Sequence, residues 1–459
     1  MAESLQNILY YSTNLNAPET SFRDALLKGL APDKGLYMPA TLPVVSTEEL
    51  QAYKQLPYSE IAFEITRKFL HSEIPDADLR DITRDAYNFQ IPLEKVYERK
   101  YIMRLDQGPT ASFKDFAARI MGRLMQYFLR KENRKLLILT ATSGDTGSAI
   151  ANAFYNLDNI KAVVLFPEKE VTERQRRQMT TLHKNIQILS LRGKFDDCQT
   201  LVKQAFSDPD LEYLHLSSAN SINIGRLLPQ SIYYIYAWSM LNNGSLDDKA
   251  IISVPSGNFG DLMGGLIAMK CGLPVKKFVV STNENKEVPV YWQTGMYEKI
   301  VPSVNCISSA MNVGHPSNLA RIVALYRGVM DENGVVTKEP DILKMRKDMF
   351  AVSITDTETK ETIRNAWDRY RLLLEPHGAV GWTGLMKYFN QNQEEAVSDQ
   401  LSVSLETAHP AKFPVEIRAI LGIDPELPES LKHLDDKEEK FETIENDYQL
   451  FKDYLRDKY

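Results

Sequence analysis

Leu136-Leu137-Ile138-Leu139-Thr140-Ala141-Thr142-Ser143-Gly144-Asp145-Thr146-Gly147 reads as an apolar strand over 136–140, a glycine-containing turn, and a helix beginning near Ser148. The same pattern recurs outward from it. Ala162-Val163-Val164-Leu165-Phe166 is a second apolar run, stopped by Pro167 and followed by a polar helix over 172–182. A third run over 186–191 precedes a helix over 198–206, and a short strand near 213–216 precedes a long apolar helix over 225–240. Residues 251–254 and 278–280 supply two more strands. Strands this short that are apolar throughout, rather than alternating, are covered on both faces, and their separation by helices makes them parallel. The expected class is α/β, with parallel sheets covered by helices. Residues 1–98 lack the alternation and read as an additional N-terminal domain. Residues 99–245 and 246–459 read as two α/β domains, the second larger and ending in helices, with a polar loop over 390–400.

A net charge of −7 over 459 residues excludes a nucleic-acid partner, because binding to a phosphate backbone depends on clustered Lys and Arg. Part of the acidic excess, Asp435-Asp436-Lys437-Glu438-Glu439, reads as a solvated helix face. The three cysteines, Cys198, Cys271 and Cys306, lie far apart with no CxxC spacing, which suits a reducing compartment. Seven scattered histidines without an HExxH pair give no metal site. Met1-Ala2-Glu3-Ser4 lacks the basic and apolar regions of a secretory signal, and no apolar run reaches bilayer length. The expectation is a cytoplasmic protein without a membrane partner, its oligomeric state open.

Two glycine-rich turns each follow a strand and open a helix. One is Ser143-Gly144-Asp145-Thr146-Gly147; the other is Ser256-Gly257-Asn258-Phe259-Gly260-Asp261, directly after Pro255. A helix N-terminus offers unpaired N–H groups and partial positive charge to an anion, and glycine lets the backbone come close. Neither turn is a GxxxxGK[ST] loop or a GxGxxG fingerprint, and one such turn in isolation usually only ends a strand. Two of them at strand-to-helix junctions point to a ligand with two anionic ends, bound where open α/β sheets bind ligands. A third element is Gly108-Pro109-Thr110-Ala111-Ser112-Phe113-Lys114-Asp115-Phe116. Most lysines are solvated, and Lys114 taken alone would be one of them. Its neighbours Phe113 and Phe116 suggest an amine held against apolar surface, where the charged form is disfavoured and nucleophilicity gains.

These three motifs, in this order, resemble those of the threonine synthase family of pyridoxal-phosphate (PLP) enzymes. The resemblance extends through Tyr11-Ser12-Thr13, Gly29-Leu30-Ala31-Pro32-Asp33 and Gly35-Leu36-Tyr37 near the start. It continues in Ser218-Ala219-Asn220-Ser221-Ile222-Asn223 with Arg226, in Glu375-Pro376-His377-Gly378-Ala379, and in Thr407-Ala408-His409-Pro410-Ala411-Lys412-Phe413. It implies a fold-type II PLP enzyme, like the tryptophan synthase β chain. It also implies a lyase of threonine biosynthesis that makes threonine and phosphate from O-phosphohomoserine and water.

The same resemblance implies roles at matching positions. Lys114 forms the imine with the cofactor and then shuttles protons. The backbone of Ser256, Gly257, Asn258, Phe259, Gly260 and Asp261 cradles the cofactor phosphate. Thr407 bonds the ring nitrogen, while His409 reads as ordinary packing. Asp145 stands near the ring oxygen, where related enzymes often carry Asn. Ser143, Gly144 and Thr146 receive the substrate carboxylate. Asn223 and Arg226 either grip the substrate phosphate, which a guanidinium binds bidentately, or hold the structure together. Three places depart from the family pattern: Asn14-Leu15 where it usually has Arg-Gly, Lys34 where it has glycine, and Asp106-Gln107 where it often has Phe-His. Two alternatives stand beside this reading, the first of them favoured by the departures at Asn14 and Gln107. One is a phospholyase that stops at 2-oxobutyrate; the other is a non-catalytic small-anion-binding protein on the same fold.

Overall fold

A computed structural model describes residues 8–459 apart from 71, 72, 246 and 398. The opening Met1-Ala2-Glu3-Ser4 lies outside the described residues. Leu136–Ala141 is buried at every position, as a strand covered on both faces must be. Among the described residues it belongs to a five-stranded parallel sheet, ordered Glu442–Glu445, Ile186–Arg192, Ile160–Pro167, Leu136–Ala141, Leu216–Ser217. A six-stranded sheet runs Met349–Ser353, Val275–Thr282, Ala250–Pro255, Ser402–Glu406, Lys100–Arg104, Leu93–Tyr97, and its last pair alone is antiparallel. No helix among the described residues is long and apolar enough to cross a membrane.

The division of the chain at 98/99 and 245/246 does not match these sheets. Lys100–Arg104 pairs with Ser402–Glu406 in the six-stranded sheet, while Glu442–Glu445 returns to the edge of the five-stranded one beside Ile186–Arg192. Parallel pairing needs a long crossover, so sheet neighbours need not be sequence neighbours. The N-terminal portion packs tightly on the rest of the chain. Tyr58 meets Tyr87, Phe116 and Tyr236 edge-on, Arg119 donates to the carbonyls of Ala86 and Asp85, and Val45 N–H donates to Cys271 O at 2.7 Å.

Four local expectations change. The long helix over 225–240 is interrupted: Ile224–Leu227 ends and Gln230–Leu241 begins at Pro229, which has no N–H to continue the first ladder. The strand near 213–216 shrinks to Leu216–Ser217, because Pro209–Leu214 winds as a 3-10 helix capped by Asp208. The acidic run 435–439 is turns rather than helix, and Glu439 accepts from Arg176 (2.9 and 3.0 Å) and from Thr180 (2.7 Å). The polar stretch at 390–400 contains a short helix, Gln393–Val397.

Candidate active site

Four segments that carry the motifs each leave the carboxyl end of a strand. Residues 142–147 follow Leu136–Ala141, 256–261 follow Ala250–Pro255, 407–413 follow Ser402–Glu406, and 105–113 follow Lys100–Arg104. The last loop is tightly specified. Asp115 accepts from Thr110 N–H (2.8 Å) and Thr110 Oγ1 (2.7 Å), and a Cβ on Gly108 would lie 2.4 Å from Asp115 Oδ2. Phe113 N–H donates to Thr407 O at 2.9 Å, and His409 N–H donates to Ala111 O at 3.0 Å. These bonds set the first residue of the helix Lys114–Glu132.

Lys114 Nζ lies 3.7 Å from Asp145 Oδ2, and its side chain is 13% exposed, so a small molecule can reach it. Burial pushes the amine below the ordinary lysine range; Asp145 opposes that, while Lys412 and Arg226 add to it. Phe113 supplies apolar surface, its ring centroid 4.8 Å from Nζ. Phe116 does not flank the amine as expected. Two residues on along a helix is the opposite face, and Phe116 packs into the cluster of Tyr58, Phe89 and Tyr233.

Asp145 accepts from Gln175 Nε2 at 2.9 Å and pairs with Lys412 Nζ at 2.6 Å. Burial alone would raise its carboxyl, but Lys412, Lys114 and Gln175 hold it well below the ordinary carboxylate range. Lys412 is fully buried and donates also to Thr110 O at 2.9 Å. The 407–413 motif by itself assigns Lys412 no role. Its local signal is a pair of apolar neighbours, Ala411 and Phe413, as Phe113 is for Lys114.

The first glycine turn is crowded by its own framework. Thr142 Oγ1 accepts the N–H groups of Gly144 (2.9 Å) and Gly147 (2.7 Å), leaving those of Ser143, Asp145 and Thr146 for a ligand. Gly144 has φ 134°, and a Cβ there would lie 2.5 Å from Gln175 Cδ. In the second turn, Phe259 at φ 61° opens the helix Gly260–Lys270, whose first amides have no partner in their own helix. Asn258 Oδ1 accepts from Ser317 N–H (2.7 Å) and Ser317 Oγ (2.9 Å), and Ser256 N–H donates to Ser281 O at 2.8 Å. The Asp261 carboxylate turns away to Tyr233 (2.5 Å) and Tyr234 (2.6 Å), so its backbone is what it offers the turn. Burial pushes that carboxyl up to about 6, against the two phenol hydrogen bonds.

Asn223 and Arg226 part company. Asn223 Nδ2 donates to Leu26 O and Ser218 O, both at 2.9 Å, and Oδ1 caps Gly225 N–H at 2.9 Å. With both donor hydrogens spent inside the protein, Asn223 is a structural clamp and has none left for a phosphate. Arg226 is buried with one bond, Nη1 to Ala219 O at 2.7 Å, while its Nε has no partner. Burial pushes this guanidinium down to about 10, opposed by Asp115. A buried cation with free donors fits an anionic ligand. Among the described residues nothing bonds the buried Thr407 hydroxyl, and His409 Nδ1 accepts its neighbour Ala411 N–H at 3.1 Å. The departures from the family pattern lie apart: Asn14 (3.3 Å) and Lys34 (3.8 Å) both engage Glu332, and Gln107 donates to Asp106 at 2.7 Å.

The residues present fit PLP. An accessible amine, a helix N-terminus behind a turn whose Gly257 leaves no room for a side chain, and a free hydroxyl match an aldehyde, a phosphate and a ring nitrogen. Comparison with known proteins agrees. Residues 9–87 match the family described as threonine synthase N terminus, 91–403 match pyridoxal-phosphate dependent enzyme, and 378–455 match threonine synthase, C-terminal. The threonine synthase of Haemophilus influenzae is 38% identical over 445 residues, 96% of this chain and 98% of that one. A crystal structure of PLP-bound threonine synthase from Brucella melitensis is 35% identical, with a TM-score of 0.90 over 98% of this chain and 99% of that one. The yeast threonine synthase structure is 31% identical with a TM-score of 0.89, covering 98% of each chain. With a fold-type II architecture, PLP as cofactor and relatives matched along nearly its whole length, the chain belongs to the threonine synthase family.

Proposed function

We propose that this chain converts O-phospho-L-homoserine and water into L-threonine and phosphate, with Lys114 holding the cofactor. The observation that carries the reading is the Lys114 amine, sparingly exposed and 3.7 Å from an ionised Asp145. When bound, PLP supplies an aldehyde for an amine and a ring that accepts electron density from the adjoining substrate carbon. The amides of 257–261 would orient it by its phosphate, that of Ser256 being spent on Ser281 O, and the Thr407 hydroxyl can meet the ring nitrogen without carrying charge. Asp145 would face the ring oxygen. Lys114 Nζ, when free beside the substrate, would be the base for the proton on Cα and the carrier for the proton on Cβ. The free amides of Ser143, Asp145 and Thr146 receive the substrate carboxylate. Arg226 receives the γ-phosphate and stabilises it as it leaves, after which water adds at Cβ.

The test is to incubate the purified holoenzyme with O-phosphohomoserine and separate threonine from 2-oxobutyrate. Threonine and phosphate in equal amounts are expected. Abundant 2-oxobutyrate without threonine would refute the reading. Borohydride reduction should fix the cofactor on Lys114.

A further inference from the structure

Two lysines meet one carboxylate in this site, and they meet it unequally. Lys412 Nζ makes a contact ion pair with Asp145 Oδ1 at 2.6 Å, while Lys114 Nζ stands off from Oδ2 at 3.7 Å, beyond hydrogen-bond length. Lys412 is fully buried, with a second bond to Thr110 O at 2.9 Å that anchors it on the loop leading to Lys114. Gln178 Nε2 donates to the same carbonyl at 3.1 Å, so the anchor is itself braced. A buried lysine is costly unless paired, and removing either partner strands the other charge.

We propose that Lys412 is a positioning residue: by engaging Asp145 it neutralises that carboxylate, so that the nitrogen at Lys114 gives up its proton readily. This rests on the reading of Lys114 as the cofactor lysine. With Lys412 in place, Lys114 faces a balanced pair. Without Lys412 it faces a bare anion at 3.7 Å, which holds a proton on a neighbouring amine. The other charged groups around Lys114 do not substitute. Arg226 adds repulsion, Asp261 is spent on Tyr233 and Tyr234, and Asp115 on Thr110. Glu375, held on the His377 ring at 2.5 Å and on Gly378 N–H at 2.9 Å, adds only the weakest of these influences, in the same direction as Asp145. Lys412 is thus the cation that sets how much of the Asp145 charge Lys114 feels.

The test is a pH titration of the visible absorption of the cofactor bound at Lys114, in the holoenzyme and its variants. Lys412→Met should raise the midpoint by about one unit or more, since an opposite charge this close shifts an amine by about one to three units. Asp145→Asn should lower it, because Lys412 then stands unpaired beside Lys114. The double variant Asp145→Asn/Lys412→Met should return close to the wild-type midpoint, a rescue that a loss of packing would not give. A Lys412→Met midpoint that is unmoved or lowered overturns the proposal. If that variant does not fold, Asp145→Asn alone decides, and an unmoved or raised midpoint overturns it. Peptide mapping after borohydride reduction separates the two readings. A label away from Lys114 removes the proposed function, whereas a label on Lys114 with unmoved midpoints removes only the role of Lys412.

Discussion

Gly257→Ala adds one methyl group to the proposed phosphate cradle. The new Cβ would lie 2.8 Å from Met311 Cα and 3.0 Å from Ala310 O, both backbone atoms with no rotamer to move. The turn Ser309–Met311 that carries them is pinned, since Ala310 N–H donates to His377 Nε2 at 3.0 Å and Met311 N–H to Ser308 O at 2.9 Å. The other side is pinned by Ser256 N–H on Ser281 O at 2.8 Å. Gly257 is outside the left-handed region, so alanine brings steric overlap without backbone strain. Overpacking of this kind costs about 1–3 kcal/mol. If the loop relieves it by shifting its amides, cofactor affinity falls by about 5- to 150-fold at 1.4 kcal/mol per decade. The assay is titration of the apoprotein with PLP, followed by absorbance, beside thermal melts without cofactor. Gly260→Ala is the companion: its Cβ would find no atom nearer than 3.5 Å, and alanine favours a helix. It should leave the apoprotein melt unlowered and still weaken PLP by crowding the ligand. Wild-type affinity in both variants would show that the phosphate does not bind at this turn.

Arg226→Met should lower kcat/KM for O-phosphohomoserine by about ten- to a hundredfold, the effect of losing hydrogen bonds to a charged group, while the cofactor absorption stays; an unchanged kcat/KM would remove Arg226 from the substrate site. Asn223→Ala should do the reverse. It loses two carbonyl contacts and a helix cap, costing about 2–4 kcal/mol in a melt, and the folded fraction keeps its KM; a raised KM would return Asn223 to the site. Asp261→Asn tests a pH dependence. Burial raises the folded carboxyl to about 6, so its contribution is fully present below the ordinary aspartate value and lost as pH rises through 6. The variant, which cannot ionise, should therefore gain up to about 3 kcal/mol over the wild type between pH 4 and pH 8. Equal differences in urea midpoint at the two pH values would contradict this.

Much of the fold was legible locally. Leu136–Ala141 and Ala250–Pro255 are buried at every position, and an unbroken apolar run announces that without knowledge of neighbours. Both glycine turns lie at strand-to-helix junctions, since glycine and the following helical periodicity are short-range signals. Pro229 was equally visible, but the apolar run around it outweighed the break it makes. The acidic run at 435–439 misled because its partner, Arg176, is 263 residues from Glu439 in the chain.

The chain's order of residues was enough for the α/β class, for placing the two glycine turns at strand-to-helix junctions and for singling out Lys114 as a candidate, because each depends on chemistry within a few positions. The hydrogen bond from Lys412 Nζ to Thr110 O, 302 residues away in the chain, the exhaustion of both Asn223 donors, and the freedom of Arg226 were settled only by folding. A side chain's supply of hydrogen bonds and its share of a neighbour's charge depend on distance in space. The apolar neighbours of Lys412 hint at burial, but its partner Asp145 is known only once the strand Ser402–Glu406 brings the two together.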